Sequence, residues 1–210
     1  MPDRNRSYIA PDGWWYLLPV AAGLVLAMRF EAWWLVTGLV VLLVPMVMLF
    51  RDPARNSPTR PLAMVSPVDG KIVACDRLDS GVLDRPAHRV RIRVDNLGAY
   101  AARSPVAGRV MELSRDALSP SARLLGVSGL WVRGESGADV VVVIHALWLL
   151  GKPRALLGYG ERVGQGQRFA WLRLSRETDV YLPLEARVTV SPGERVRAGL
   201  SIIAELPARN

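Results

Sequence analysis

The chain has 210 residues, enough for one globular domain and an appendage, and half of them are hydrophobic. Its formal net charge is +8, and 25 of the 27 basic residues are arginine. The single cysteine, Cys75, excludes an internal disulfide and a multi-cysteine metal site, and two histidines, His88 and His145, are too few for an obvious metal cluster.

Up to Phe50 the charges cancel: Arg4, Arg6 and Arg29 against Asp3, Asp12 and Glu31. The whole excess of positive charge therefore belongs to residues 51–210. Two apolar runs fill this first part, Trp14 to Met28 and Ala32 to Phe50. The second has 19 residues without a charge, enough to cross a hydrocarbon core at about 1.5 Å per residue. The link Arg29-Phe30-Glu31 is so short that two helices must run antiparallel. Trp14, Trp15, Trp33 and Trp34 open the runs, where interfacial aromatic belts place them. Residues 1–50 are thus expected to form a transmembrane hairpin, with helices at about 14–29 and 32–50. A hairpin buried in a soluble protein is the alternative. Arg4 and Arg6 before the hairpin and Arg51, Arg55 and Arg60 after it put both ends on the cytoplasmic side of a bacterial-type plasma membrane. No small-residue cleavage site precedes the second run, which argues against a signal peptide.

Residues 51–64 read as a linker, and 65–210 as a β-rich domain. Short runs of β-formers are bounded by turn residues at 90–94, 139–145, 168–174, 179–184 and 200–206. Ser114 to Leu125 is the one place for a short helix. Cys75 lies in the apolar run KIVAC and reads as a small buried hydrophobe. A basic domain beside a membrane segment is drawn to anionic head groups; no nucleic-acid motif accompanies the charge.

Two patterns repeat. Ser66-Pro-Val-Asp-Gly-Lys-Ile72 is echoed by Ser104-Pro-Val-Ala-Gly-Arg-Val110, and Gly160-Glu-Arg-Val-Gly-Gln-Gly166 by Gly193-Glu-Arg-Val-Arg-Ala-Gly199. In the first, proline sets φ and glycine permits the turn beyond it. Such paired echoes are expected of a mainly β, biotinyl/lipoyl-like barrel-sandwich with a duplicated half-motif. Neither Lys71 nor Lys152 stands in a hairpin position, which disfavours a swinging-arm carrier.

These features together resemble the short, membrane-anchored, pyruvoyl-dependent form of the phosphatidylserine decarboxylase family. The likeness runs through FRDPARNSP (50–58), VSPVDGKIV (65–73), RSPVAGRV (103–110), TDVYLP (178–183) and VRAGLSIIAEL (196–206). It implies a lyase of phospholipid (phosphatidylethanolamine) biosynthesis that generates its own pyruvoyl group by serine-driven cleavage. That ketone would serve as electron sink in decarboxylation of the lipid. A histidine and an aspartate would activate the serine.

The resemblance carries over unevenly to the site. Asp69 matches the family's aspartate, with an ordinary Asp-Gly turn as the competing reading. Counting back from Arg103-Ser104-Pro105 puts Tyr100 where the family has histidine, and a phenol with pKa near 10 is a poor base at neutral pH. His145 or His88 would replace it only if the fold brought one close, and His145 otherwise reads as a core histidine. At the family's Gly-Ser cleavage pair the ungapped nucleophile position is Arg176. One inserted residue makes it Ser175, preceded by Leu174 in place of glycine. The asparagine-rich motif ahead of Asp139 is not visible in GVSGLWVRGESG (126–137). Three functions follow. In one, Ser175 is the pyruvoyl precursor of a decarboxylase; in another, a catalytically lapsed homologue binds lipid head groups or regulates an active paralogue. A membrane-tethered adaptor for another protein is a third. Membrane phospholipids with anionic head groups are the expected partners, beside a second copy or an active paralogue, with no nucleic acid and no metal.

Overall fold

The computed structural model describes residues 8–55, 57, 60, 62–111, 128–147, 153–172 and 174–207. They form two compact units, Met1–Ala54 with Leu97–Tyr100, and Arg55–Asn96 with Ala101–Asn210.

The first unit is a helical hairpin. Helix α1 spans Pro11–Arg29 and α2 spans Trp33–Leu49. Helix α1 begins ahead of its apolar run because Pro11 suits the first helical position and Asp12 suits the N-terminal turn. It ends where the Phe30 N–H bonds to the Leu26 carbonyl and Glu31 turns into the left-handed region at φ 55°. The chain before and after the hairpin is tied together: Ala10 N–H donates to Phe50 O at 2.9 Å and Asp52 N–H to Tyr8 O at 2.7 Å. In α2 the hydroxyl of Thr37 returns to the Trp33 carbonyl, so this hydroxyl is satisfied within the helix. Among the described residues no helix is both long and apolar enough to cross a membrane. Helix α2 stops at 17 residues, and α1, at 19, includes Asp12 and Arg29. Large apolar side chains nevertheless cover the outside, with Trp15 83% and Trp34 79% exposed.

The second unit is mainly β. In chain order its strands are β1 (Ala63–Val65), β2 (Gly70–Leu78), β3 (Ala87–Val94), β4 (Ala101–Arg103), β5 (Gly108–Met111), β6 (Ser128–Gly134) and β7 (Asp139–Ala146). They continue with β8 (Arg154–Ala155), β9 (Arg162–Val163), β10 (Arg168–Trp171), β11 (Ser175–Leu182), β12 (Arg187–Val188), β13 (Arg195–Val196) and β14 (Ile202–Glu205). One antiparallel sheet runs β13-β2-β3-β11-β7-β6-β5-β9, and two smaller ones run β1-β14-β12 and β4-β10-β8. One side of the large sheet supplies the core, through residues such as Ile72, Ile92, Val142, Ile144 and Val180. Strand β7 reads as an unbroken apolar run because its other side is covered too: Val141 and Val143 lie under Val82, Leu83, Trp131 and Tyr181. Cys75 packs against the core, and burial pushes its thiol up, aided by Asp76 and Glu194.

Strand β11 starts at Ser175, four residues before its sequence expectation, and stops ahead of Pro183. Strand β6 lies in the GVSGLWVRGESG stretch, where no strand was expected: glycines dilute its alternation. The helix expected at 114–125 lies outside the described residues.

The two sequence echoes are two structural halves with matching hydrogen bonds. Ser66 Oγ donates to Val68 O and Ser104 Oγ to Val106 O. Gly199 N–H donates to Ser66 O at 2.7 Å, and Gly166 N–H to Ser104 O at 2.8 Å. Ile72 N–H meets Glu194 O as Val110 N–H meets Glu161 O. The halves also bond reciprocally, Val65 N–H to Pro105 O and Arg103 N–H to Pro67 O. The motif glycines answer a packing demand: a Cβ on Gly70 would lie 2.1 Å from Arg93 O, and one on Gly108 2.1 Å from Arg133 O.

Candidate functional site

Asp69 stands at the mouth of β2, between the Pro67-Val68 turn and Gly70. Its carboxylate takes a bidentate pair from Arg55, at 2.5 and 2.7 Å, and the Ala198 N–H at 2.7 Å. Arg55 also donates to the Ala198 carbonyl at 3.0 Å. Both side chains are 11% exposed. The FRDPAR arginine, the SPVDG aspartate and the hairpin after β13 are thus one buried, charge-assisted node. A planar guanidinium fork on a carboxylate is the geometry that makes such a pair strong. The two most specific motifs of the sequence meet here, on each other.

Ser175 opens β11 and is fully buried. Its hydroxyl donates to Leu172 O at 2.8 Å. Asn96 grips its backbone from both sides: Ser175 N–H donates to Asn96 Oδ1 at 3.0 Å, and Asn96 Nδ2 donates to Ser175 O at 3.0 Å. The sequence reading assigns Asn96 no role. A side-chain amide matching a peptide's donor and acceptor is a tertiary feature with no local sequence signal. Arg176 follows at the irregularity between Ser175 and Glu177 in the β7 pairing, and it is exposed.

Tyr100 belongs to the first unit. Its ring packs at 57° on Phe50, 5.2 Å between centroids, and Phe50 in turn stacks on Tyr16 at 5.6 Å. The Tyr100 N–H donates to the Arg51 carbonyl. The phenylalanine of FRDP and the tyrosine at the histidine position are thereby packing partners.

His145 is not a core histidine: its side chain is 33% exposed, on the side of β7 that faces away from the core. Its Nε2 lies 3.2 Å from Asp179 Oδ2, and Arg91 donates to the same carboxylate at 2.8 and 3.1 Å. Burial alone raises the Asp179 carboxyl, but the hydrogen bonds from His145 and Arg91 outweigh it and hold it below the ordinary range. The same bond raises Arg91. So the histidine has an aspartate partner, but it is Asp179 of the TDVYLP motif and not Asp69. Asp139 is held low in a similar way, burial being overcome by Arg85, Trp131 and Arg133. His88 stands in register with Leu182 on one side and Arg77 on the other. Among the described residues no group of three metal-ligating side chains occurs.

Comparison with known proteins bears directly on these motifs. The family model described as phosphatidylserine decarboxylase matches residues 44–204, which include both the Arg55–Asp69 node and the Ser175 strand. The chain belongs to the phosphatidylserine decarboxylase family. Among its relatives, the phosphatidylserine decarboxylase proenzyme of Ralstonia nicotianae is 34% identical over 224 residues, covering 96% of this chain and 99% of that protein. The proenzyme of Nitrosomonas eutropha is 34% identical, with 94% of each chain covered. That of Nitrosomonas europaea is 33% identical, covering 97% of this chain and 98% of its own. This member keeps the FRDPAR and SPVDG motifs and holds Ser175 as a buried strand residue.

Proposed function

We propose that this chain is a member of the phosphatidylserine decarboxylase family that remains in one piece and acts by binding anionic phospholipid head groups at a membrane. The commitment of Ser175 carries this reading. Self-cleavage needs a serine hydroxyl free to attack the carbonyl before it, after a residue small enough for a strained turn. Here the hydroxyl is bonded to Leu172 O, both peptide groups of Ser175 are held by Asn96, and Leu174 precedes it. The ungapped nucleophile position is Arg176, which has no hydroxyl. Asp69 is engaged by Arg55, which takes it out of a serine relay; His145 has an aspartate partner in Asp179, but the Ser175 hydroxyl is bonded to Leu172 O and not to that imidazole. These residues do not suit formation of a pyruvoyl group.

The matching halves support a barrel-sandwich architecture for the β unit. The hairpin α1–α2 is its membrane anchor, supported by the apolar exterior of both helices. A 17-residue helix rises about 25 Å, short of a hydrocarbon core of roughly 30 Å, a mismatch that local thinning of the bilayer absorbs. The flanking arginines orient both ends to the cytoplasmic side.

A second reading, decarboxylase chemistry started at Ser175, draws on the strand irregularity at Arg176, since bulges often accompany active sites. Intact mass spectrometry of the purified chain separates the two. One species at 23.1 kDa with no hydroxylamine-reactive carbonyl is expected. Two pieces, the smaller being residues 175–210, would establish the second reading instead.

A further inference from the structure

The outer side of the large sheet carries cations in a pattern repeated by the two halves. At one edge Arg195 of β13 lies opposite Lys71 of β2, which lies opposite Arg93 of β3. At the other edge Arg162 of β9 lies opposite Arg109 of β5, which lies opposite Arg133 of β6. Each of the six adjoins a core residue along its strand, as Lys71 adjoins Ile72 and Arg109 adjoins Val110, so all six project away from the core. All six are exposed.

Like charges set opposite one another across antiparallel strands destabilise the pairing. Elsewhere on this side Arg89 is neutralised by Asp76 and Arg91 by Asp179, whereas within the rows Arg133 shares Asp139 with Arg85, and Arg93 stands in register with Glu177 without an ion pair. Among the described residues none of Arg195, Lys71, Arg93, Arg162 and Arg109 forms an ion pair. An excess at the corresponding place in both halves, three unpaired cations in one row and two in the other, points to counter-charge from outside the chain.

We propose that these two rows are the surface by which the β unit rests on an anionic bilayer, each row taking lipid phosphates. This rests on the membrane reading above. Five of the six are arginines, whose planar fork takes phosphate bidentately. Nucleic acid presents a continuous phosphate track and suits a continuous basic groove. A fluid head-group layer can meet two short rows separated by β11 and β7.

The test is flotation of the full-length protein with vesicles of phosphatidylcholine alone or with one-third phosphatidylglycerol, at low and high salt. Wild type is expected to float with both. At low salt it should bind the anionic vesicles at least about tenfold more tightly, a preference that high salt removes. Lys71→Gln/Arg93→Gln/Arg195→Gln and Arg109→Gln/Arg162→Gln should each weaken that preference. Combined, they should abolish it while leaving binding to neutral vesicles intact. Arg154→Gln/Arg187→Gln, on the smaller sheets, should change nothing. An anionic preference that survives in the combined variant overturns the proposal and leaves the intact-chain reading standing. No preference in wild type overturns both the rows and the head-group function. Tight binding of a DNA duplex, lost in the same variants, overturns the lipid assignment in favour of nucleic acid.

Discussion

At the scale of single residues, the motif side chains are held by structural contacts: Asp69 by Arg55 and Ser175 by Asn96 and Leu172. Asp69 is the test case, because the same carboxylate reads as a relay member in the family and as an ion-pair anchor here. Removing one partner of a buried pair leaves an uncompensated charge, which costs about 3–5 kcal/mol. Asp69→Ala is therefore expected to lower the free energy of unfolding by about that amount, and Arg55→Lys to recover only part of the bidentate geometry. A measured loss under about 1 kcal/mol in denaturant titration would remove the anchor role. Asp179 makes a prediction in pH. Its folded pKa lies below its unfolded value of about 3.9, so its contribution is fully present above that value and is lost as pH falls through the folded pKa. Stability should decline in the acid range below about pH 4, and Asp179→Asn should flatten that limb of the profile.

Elements are held in place by closeness of backbone rather than by strand propensity. Gly70 and Gly108 occupy the same point of the two halves, each with a neighbouring carbonyl where a Cβ would go. Gly70→Ala and Gly108→Ala should each force β2 from β3, or β5 from β6, and cost about 3 kcal/mol or more, as strong overpacking does. Gly137, at φ 80° with open space around it, is the contrast. Gly137→Asn should stay within about 1 kcal/mol, since asparagine tolerates the left-handed region. Comparable losses at all three positions in thermal unfolding would show that backbone proximity is not what the motif glycines serve. The first unit is organised by rings: Tyr16, Phe50 and Tyr100 form a run of contacts that closes the hairpin base.

For the whole molecule, the proposed function depends on how charge is distributed over a surface. The centre of the large sheet's outer side is internally neutralised, and its two edges are left cationic. The helical unit brings apolar side chains to its exterior, and the β unit brings positive charge. Both features motivate the proposed membrane role, and intact mass together with vesicle flotation tests it at this scale.

The family was legible from FRDPARNSP and SPVDG, since these motifs answer local backbone demands: a proline that sets φ, a glycine where strands crowd, an aspartate at a turn. The duplicated halves were legible for the same reason, because each echo repeats one hydrogen-bonded turn. The helical hairpin followed from two apolar runs and a three-residue link. What each polar side chain does was not legible. That Asp69 meets Arg55, that His145 meets Asp179, and that Asn96 closes on Ser175 depends on residues 14, 34 and 79 positions apart. Nor could the sequence reveal that scattered arginines line up in two rows, because cross-strand register places them, and register exists only once the sheet has formed.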